Sequence, residues 1–274
     1  MITPWKFGEI MFLVKKTLTQ LSLKYNYSIP KIRDIINLHK INEKFPCQEI
    51  KPREIFLIID AFYRKRSSGI LLFRSPNLRR NLLWFDVKSE RIDYYEYGVK
   101  VLIKFGFKIK GITVDGKKGV IERLKNYCPI QYCQFHQMAI VTRYLTRNPK
   151  SEPSIKLRLI ALTLKNSSYH EFKLLLDNWY KKYKFFLKEK TYHPSGKWSY
   201  THKRLRSCYR SLNNNLKYLF IYQNIKNMPN TTNSLDGSIS HLRTLLRVHR
   251  GTILPLQRKI TQELLRGTAP QNFH

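Results

Sequence analysis

Short runs of β-forming residues alternate with helical patterns between Glu54 and Gln137, and this alternation constrains the fold more than any other feature of the chain. Strands that alternate with helices are typical of α/β folds, in which the helices cover a sheet. The sequence therefore predicts an α/β core. Its expected elements are strands at Ile55–Ile59, Gly69–Arg74 and Asn81–Val87, a helix at Arg91–Phe105, a strand at Ile109–Val114, a short helix at Val120–Leu124 and a strand at Pro129–Phe135.

This order of three strands, helix, strand, helix and strand is typical of a ribonuclease-H-like core. A helical, strongly basic stretch follows it, and a further helix is expected from Asn233 to about His249. We therefore predict a ribonuclease-H-like core made of residues 51–137 and 228–260, interrupted by an all-α insertion at 138–227. A small helical module at 1–50 precedes the core, and a tail at 261–274 follows it.

The charge of the chain indicates its partner. Fifty-one Lys and Arg residues face 18 Asp and Glu residues, which gives a formal net charge of +33 over 274 residues. Such an excess repels itself unless a polyanion neutralises it. The basic residues are spread from Lys15 to Arg266, so we expect the folded body to bind nucleic acid through phosphate contacts. A ribosomal or histone-like structural protein has the same composition, so charge alone does not separate these classes.

The apolar runs and the cysteines bear on the compartment. Each apolar run is too short to cross a bilayer, and Met1–Val14 lacks a signal-peptide pattern because Lys6 and Glu9 interrupt it. We expect a cytoplasmic, nucleoid-associated protein with no membrane partner. The four cysteines show no disulfide-framework spacing, so free thiols or at most one metal-linked pair are expected. They are Cys47, Cys128, Cys133 and Cys208.

The first fifty residues predict two short helices around a tight turn. Thr17–Lys24 has helical spacing, and Ser28 after the turn can cap a second helix. This arrangement matches a helix-turn-helix, whose second helix would lie in the major groove with Lys31 and Arg33 exposed. An ordinary helical hairpin is the alternative.

Two aspartates directly follow apolar runs in the predicted core. Asp60 and Asp115 are each expected at the carboxyl end of a strand, where open α/β sheets place their ligands. Nearby cations keep such acids ionised and attract phosphate. The alternative is that each Asp only starts a turn. The nearby cations are Arg64, Lys65, Arg66, Lys117 and Lys118.

The helical insertion and the helix after it supply further candidates. Aromatic and basic residues interleave over Tyr192–Arg210, where bases can stack, although core packing explains most of these aromatics. Arg204 and Arg206 are the candidate phosphate contacts of this stretch. In the following helix, Leu235, Ile239, Leu242 and Leu246 form an apolar stripe, and another face carries Asp236, Ser240, Arg243 and Arg247.

Five segments between about Glu54 and Gly251 form an ordered set of motifs. They are Ile58–Asp60 with Tyr63–Arg66, Val114–Gly119, Cys133–Gln137, Tyr200–Arg206 and Asn230–Gly237. In this order they resemble the DDE transposases of prokaryotic insertion sequences related to the Mutator-like group. The resemblance implies a ribonuclease-H-like fold with a long helical insertion, and Asp60, Asp115 and Asp236 as the catalytic triad.

The chain departs from this family in two respects. The family more often has Glu at the third acidic position, and Asp236 is one methylene shorter. Relatives commonly begin with a zinc-binding cysteine cluster, whereas this chain has no cysteine before Cys47. From the resemblance we expect either a short-type member or a decayed copy that lacks its end-recognition part.

Cys133 and His136 form a Cys-x-x-His motif with two interpretations. It is half of a zinc site, to which His202 and Cys208 would contribute. Alternatively, as the resemblance suggests, it packs or orders the active site. Asn233, one turn before Asp236, is a candidate for positioning a water or the metal shell.

The expected chemistry is metal-dependent cleavage of DNA 3′ ends followed by strand transfer. Two Mg²⁺ ions suit an all-oxygen carboxylate site, and Mn²⁺ can substitute. The partners would be the double-stranded DNA of the transposon ends and the target, and synapsis of two ends favours a homodimer or larger assembly. A ribonuclease-H-type nuclease and an inactive, truncated transposase-derived DNA-binding protein are the alternatives.

Overall fold

The chain is a mixed α/β structure that divides into two compact units, one made of Met1–Lys108 with Asn233–His274 and the other of Ile109–Thr232. The computed structural model describes residues 17–38, 44–65, 68–117, 119–248 and 254–267. Its five-stranded mixed sheet has an antiparallel part in the first unit and a parallel pair in the second. The predicted α/β class is therefore confirmed.

An antiparallel meander of three strands is the centre of the first unit. Asp60 pairs with Leu72 of the second strand, and Leu72 pairs with Trp84 of the third. Ile59 pairs with Phe73, whose ring meets Gly98 of the helix that covers this face of the meander. The elements are β1 (Glu54–Lys65), β2 (Ser68–Ser75), β3 (Arg80–Val87) and helix α3 (Ile92–Lys104), numbered after two earlier helices.

The opposite face of the meander is covered by two helices of the same unit, α9 (Asn233–Val248) and α10 (Leu254–Arg266). Because helices cover both faces, the strand residues Ile55–Ile59 form a continuous apolar run rather than an alternating one. We call the buried residues of this second face the β1 core cluster. They are Ile58, Phe62, Ile70, Leu72, Trp84, Leu235, Ile239, Leu242 and Leu265.

Two element ends differ from the sequence-based expectation. β1 does not end at Asp60 but continues to Lys65, because its pairing with β2 continues through Tyr63, which faces Gly69. Part of the predicted 261–274 tail belongs to α10. The Leu265 carbonyl of this helix accepts a hydrogen bond from Asn81 Nδ2 on β3 at 2.9 Å. The remainder, 268–274, lies outside the described residues.

The two predicted N-terminal helices are confirmed as α1 (Leu18–Tyr25) and α2 (Ile29–Leu38). Thr17 caps α1 in a capping box with Gln20, and Asn26 ends it with a φ of 54°, a left-handed conformation that asparagine tolerates. Leu21 and Ile32 are buried against each other, and Leu264 of α10 packs on them. The helical pair is therefore anchored to the first unit.

The second unit begins with a parallel pair of strands and continues as packed helices. Ile112 pairs with Ile130, and the polypeptide turns into a helix at Gln134, so the last strand ends at Tyr132 rather than at Phe135 as predicted. The elements are β4 (Lys108–Val114), α4 (Val120–Leu124), β5 (Ile130–Tyr132), α5 (Gln134–Leu145), α6 (Glu152–Leu162), α7 (Tyr169–Tyr183) and α8 (Lys203–Leu219).

The prediction that the insertion is all-α is wrong. A hairpin of β6 (Lys190–Tyr192) and β7 (Trp198–Tyr200) lies between α7 and α8. The short strands are rich in Thr, Tyr and Trp, which favour extended backbone. The turn closes with a hydrogen bond from the His193 N–H to the Lys197 carbonyl at 2.8 Å, and Gly196 has a φ of +73°. Glycine adopts a positive φ in a turn at little cost in free energy. The turn therefore favours a hairpin over continuation of a helix.

Gly98→Ala is expected to lower the free energy of unfolding by about 1–3 kcal/mol, because the added methyl overpacks the core. A Cβ at Gly98 would lie 2.1 Å from Phe73 Cζ, and Phe73 is fully buried. Urea denaturation measures the change. Gly111→Ala is the control, since its nearest neighbour is the flexible end of Met228 at 2.8 Å. An equal loss of stability in wild-type and Phe73→Leu backgrounds would contradict the explanation.

Candidate active site

Asp60 is a buried carboxylate in the interior of β1. The residue is 8% exposed, and it is the one buried acid among those whose burial the structure describes. Side chains alternate along a strand, so Asp60 lies on the same face as Ile58 and Phe62 of the β1 core cluster. Its Oδ1 accepts a hydrogen bond from the Ala61 N–H at 2.8 Å. The strand thus holds a carboxylate inside an otherwise apolar face.

Helix α9 packs on this same face and carries the third predicted acid in its first turn. Leu235 and Ile239 are buried in the β1 core cluster beside Ile58 and Phe62. Asp236 directly follows Leu235 in the helix, and its side chain lies outside the described part of the chain. Asp60 and the backbone of Asp236 are therefore on two elements that pack together within the first unit.

Asp115 directly follows β4 in the second unit, as predicted, and it is half-buried. Its Oδ1 accepts a hydrogen bond from the Lys117 N–H at 3.4 Å, which makes a local turn. The next residue, Gly116, lies so close to Tyr132 that a Cβ would meet the Tyr132 hydroxyl at 1.7 Å. Only glycine fits this turn without displacing Tyr132.

Tyr132 lies beside this turn as a neutral phenol. Burial raises its pKa, and the negative charge of Asp115 and the neighbouring Cys133 raise it further, while Arg143 lowers it in part. The hydroxyl therefore keeps its proton at neutral pH and adds no negative charge beside Asp115. It is suited to a packing and hydrogen-bonding role.

Cys133 and His136 lie together at the junction of β5 and α5. The Cys133 N–H donates to the Val114 carbonyl at 2.8 Å, which ties the motif to the residue just before Asp115. Cys133 Sγ lies 3.6 Å from Thr232 Oγ1. Burial raises the pKa of the Cys133 thiol, but hydrogen bonds to His136 and Thr232 outweigh burial, so its pKa lies below the ordinary value.

The other two groups considered for a zinc site have different environments. His202 Nε2 lies 2.8 Å from a carboxylate oxygen of Glu189, and its ring stacks on Phe186 with centroids 3.6 Å apart. Cys208 is buried within α8, and burial raises its pKa to about 12. Within the residues open to description, no group of three or more His, Cys, Asp or Glu side chains is placed to hold a metal ion.

Three buried glutamines form a polar network that sequence reasoning missed. Gln131 and Gln134 both donate from Nε2 to the Leu219 carbonyl at the end of α8, at 2.9 and 3.0 Å. Gln137 donates to Ser211 Oγ at 3.1 Å, also on α8. The local sequence does not mark this network, because the partners of the three glutamines lie more than seventy positions away along the chain. The network fixes this junction against α8.

The same junction fixes the segment that precedes α9. The Gln134 N–H donates to the Asn230 carbonyl at 3.0 Å, and Asn230 Nδ2 donates back to Gln134 Oε1 at 3.0 Å. Thr113 Oγ1 donates to the Pro229 carbonyl at 2.6 Å. Residues 229–232 are therefore held by the strand ends of the second unit. Asn233, the first residue of α9, is exposed.

Gln134→Leu is expected to lower the free energy of unfolding by about 1–3 kcal/mol, because it leaves buried polar groups without partners. Asn230→Ala in the same background should then cost less than it does alone, since the two side chains share a hydrogen bond. Chemical denaturation of the four variants of this cycle measures the coupling. Strict additivity would mean that the pair does not act as one unit.

The predicted DNA-contacting residues fall into three groups. Lys31 and Arg33 on α2 and Arg243 and Arg247 on α9 are exposed, and Lys117 is half-buried. Arg204 is exposed and donates to the Arg143 carbonyl, and Arg206 donates to the Leu187 carbonyl at 2.7 Å. Arg64 and Lys65 belong to β1, but the structure does not describe their side chains. Arg66 and Lys118 lie outside the described residues.

Comparison with known proteins adds no assignment. No protein-family model matches the chain, and no curated protein gives a significant sequence match. Among the helices within the described ranges, none is long and apolar enough to cross a membrane.

Proposed function

We propose that this chain is a DDE-type transposase that cleaves the DNA 3′ ends of an insertion sequence and joins them to target DNA. One observation carries the proposal. Asp60 is a buried carboxylate on the sheet face that receives α9, and α9 carries Asp236 in its first turn. The resemblance of the five motif segments to DDE transposases supports the same pair of acids.

The proposed metal ligands are the carboxylates of Asp60, Asp115 and Asp236. Oxygen donors of this kind suit Mg²⁺, and Mn²⁺ is expected to substitute. Bound divalent ions would activate the attacking oxygen and stabilise the leaving oxygen of the phosphodiester. Asp115 fits this role because its strand β4 ends directly before it and its turn holds the carboxylate half-buried.

Other groups of the chain would position these acids and the DNA. The Cys133 N–H donates to the carbonyl of Val114, the residue before Asp115. The Gln134 N–H donates to the carbonyl of Asn230, which lies shortly before α9. We therefore assign the Cys133–His136 motif an ordering role. Exposed Arg243 and Arg247, further along α9, would contact DNA phosphates.

The large positive charge supports DNA as the partner. A net charge of +33 favours a polyanion, and α1 and α2 have the geometry of two helices around a short turn with Lys31 and Arg33 exposed. We propose that this pair is a helix-turn-helix on double-stranded DNA, that the core is ribonuclease-H-like, and that a homodimer or larger assembly joins two ends near the nucleoid.

The proposal is tested with purified protein and the DNA that flanks its coding sequence, labelled at the 5′ ends. With Mg²⁺ we expect new 3′-hydroxyl ends and joined products, and with EDTA neither. Binding without any metal-dependent product would instead indicate an inactive transposase-derived DNA-binding protein. Cleavage of the RNA strand of an RNA–DNA hybrid without DNA joining would indicate a ribonuclease-H-type nuclease.

A further inference from the structure

A basic cavity lies beside the hairpin of the second unit, and the described residues that line it include none of the proposed catalytic residues. It has a volume of about 250 Å³ and is formed where the end of α7, the hairpin and the start of α8 meet. Four cations and two tyrosines contribute to its wall. They are Lys184, Lys188, Lys190, Arg206, Tyr180 and Tyr200.

The cavity gathers positive charge without a carboxylate to balance it. Among the ion pairs between described residues, none involves these four cations. The nearest acid in sequence, Glu189, is engaged with His202 at 2.8 Å. Four cations held around one cavity repel one another, and a bound anion offsets that cost. The charge of the cavity therefore suits an anion.

Arg206 is held in a fixed orientation at this cavity. Its Nη1 donates to the Leu187 carbonyl at 2.7 Å, and its guanidinium carbon lies 3.5 Å from the centroid of the Tyr200 ring. A guanidinium stacked in this way keeps its remaining N–H groups available at the edge of its plane, which matches the oxygens of a phosphate. Lys190 pairs with Tyr200 across the hairpin.

The hairpin continues from the cavity as an exposed aromatic face. Because side chains alternate along strands, Lys190, Tyr192, Trp198 and Tyr200 lie on one face of the two paired strands. Trp198 is 47% exposed and Tyr192 is 72% exposed. Lys190 lies 3.9 Å from the Trp198 ring centroid, and the Trp198 and Tyr200 rings meet edge to face at 5.2 Å. Aromatic rings at a cationic cavity are the combination that binds single strands.

We propose that this cavity and hairpin face bind an unpaired stretch of DNA, with a backbone phosphate in the cavity and a base stacked on Trp198. The choice of DNA over RNA rests on the proposed function. An unpaired strand is favoured over a duplex because duplex bases already stack on one another, so their faces are not free for Trp198. Binding at this site needs neither a metal ion nor the three acids.

The test is fluorescence anisotropy of the full chain with a labelled thymidine oligonucleotide in EDTA, beside a duplex of equal length. Lys188→Ala with Lys190→Ala should weaken single-strand binding about tenfold and lower the log–log salt slope by roughly 0.7 for each phosphate that is no longer neutralised. Lys165→Ala with Lys181→Ala is the matched control, since it removes the same charge from exposed positions of the same unit. It should change affinity by less than about threefold.

Trp198→Ala should also weaken single-strand binding about tenfold, while Trp198→Phe should retain most of it. Neither change should alter duplex binding by a comparable factor. Equal reductions in affinity for the cavity pair and the control pair would overturn the proposal, and so would equal reductions for duplex and single strand. Inorganic phosphate or a thymidine mononucleotide that bound as tightly as the oligonucleotide would also overturn it, because the ligand would then be a free phosphate.

This test is independent of the proposed catalysis. Asp60→Asn should leave single-strand binding in EDTA unchanged, because the carboxylate is outside the cavity. Loss of metal-dependent joining with intact single-strand binding would reflect the catalytic acids alone. Intact joining with no difference between cavity and control pairs would reject only the cavity proposal.

Discussion

Asp60→Asn or Asp115→Asn is expected to lower the rate of DNA joining about a thousandfold, the effect of losing several kcal/mol of transition-state stabilisation. Each change removes the negative charge of a proposed metal ligand while it keeps the size of the side chain. The affinity for DNA should not fall, because both acids repel phosphate. Single-turnover joining assays with Mg²⁺ measure the rate, and anisotropy measures the affinity.

Asp86→Asn is the matched control for these two variants. Asp86 is an exposed aspartate on β3, so its replacement removes the same charge from the same sheet. Joining by this variant should remain within about threefold of wild type. Joining that survives Asp60→Asn and Asp115→Asn would remove the basis for a carboxylate-held metal site. Because Asp60 is buried, the thermal unfolding midpoint of each variant should be compared with wild type.

The affinity for duplex DNA is expected to fall about a thousandfold or more between about 50 and 200 mM salt. The reason is the net charge of +33. Each phosphate that Lys or Arg neutralises releases counterions from the DNA, and this release becomes less favourable as the salt concentration rises. A titration series in EDTA gives the slope of log affinity against log salt. A slope near zero would exclude phosphate contacts as the main source of affinity.

Lys31→Ala with Arg33→Ala tests the helix-turn-helix part of this interpretation. Both residues are exposed on α2, and a recognition helix that contacts base edges should lose preference for the flanking DNA over random duplex. Lys24→Ala with Lys44→Ala removes the same charge nearby as a control. A uniform loss of affinity without a loss of sequence preference would favour an ordinary helical hairpin.

The strands and helices of the core could be predicted because their local patterns are strong. The runs of Ile, Leu and Val in β1 and β4, and the spacing of Leu235, Ile239 and Leu242 in α9, indicate buried faces directly. The true end of β1 was not predictable in this way. Its last residues are held by pairing with β2, which is a tertiary effect that Tyr63 and Lys65 do not encode locally.

The hairpin of the insertion was missed because its residues had two consistent interpretations. Aromatic and basic residues over Tyr192–Arg210 fit a helix surface as well as a short hairpin. The sequence signal for the turn is Pro194 followed by Gly196, and in the structure Gly196 has a φ of +73°. The prediction of an all-α insertion is therefore wrong for Tyr192 and Trp198, whose side chains are exposed on this hairpin.

The candidate site was predictable in its acids but not in its supports. Asp60 and Asp115 follow conspicuous apolar runs in a chain with few acids, so both are visible in the sequence. The contacts of Gln134 with Leu219 and Asn230 join residues more than eighty positions apart. Such long-range hydrogen bonds have no local signature, and only the folded chain reveals them.

The proposed metal site is tested most directly by localised backbone cleavage, with Fe²⁺ in place of Mg²⁺ and with ascorbate and hydrogen peroxide present. Radicals formed at a bound iron ion cut the nearest backbone. We expect cuts near Asp60, Asp115 and Asp236 that Mg²⁺ suppresses by displacing Fe²⁺ and that disappear together in Asp60→Asn. Cuts at one acid that persist in Asp60→Asn, or no localised cuts at all, would contradict a metal site shared by the three carboxylates.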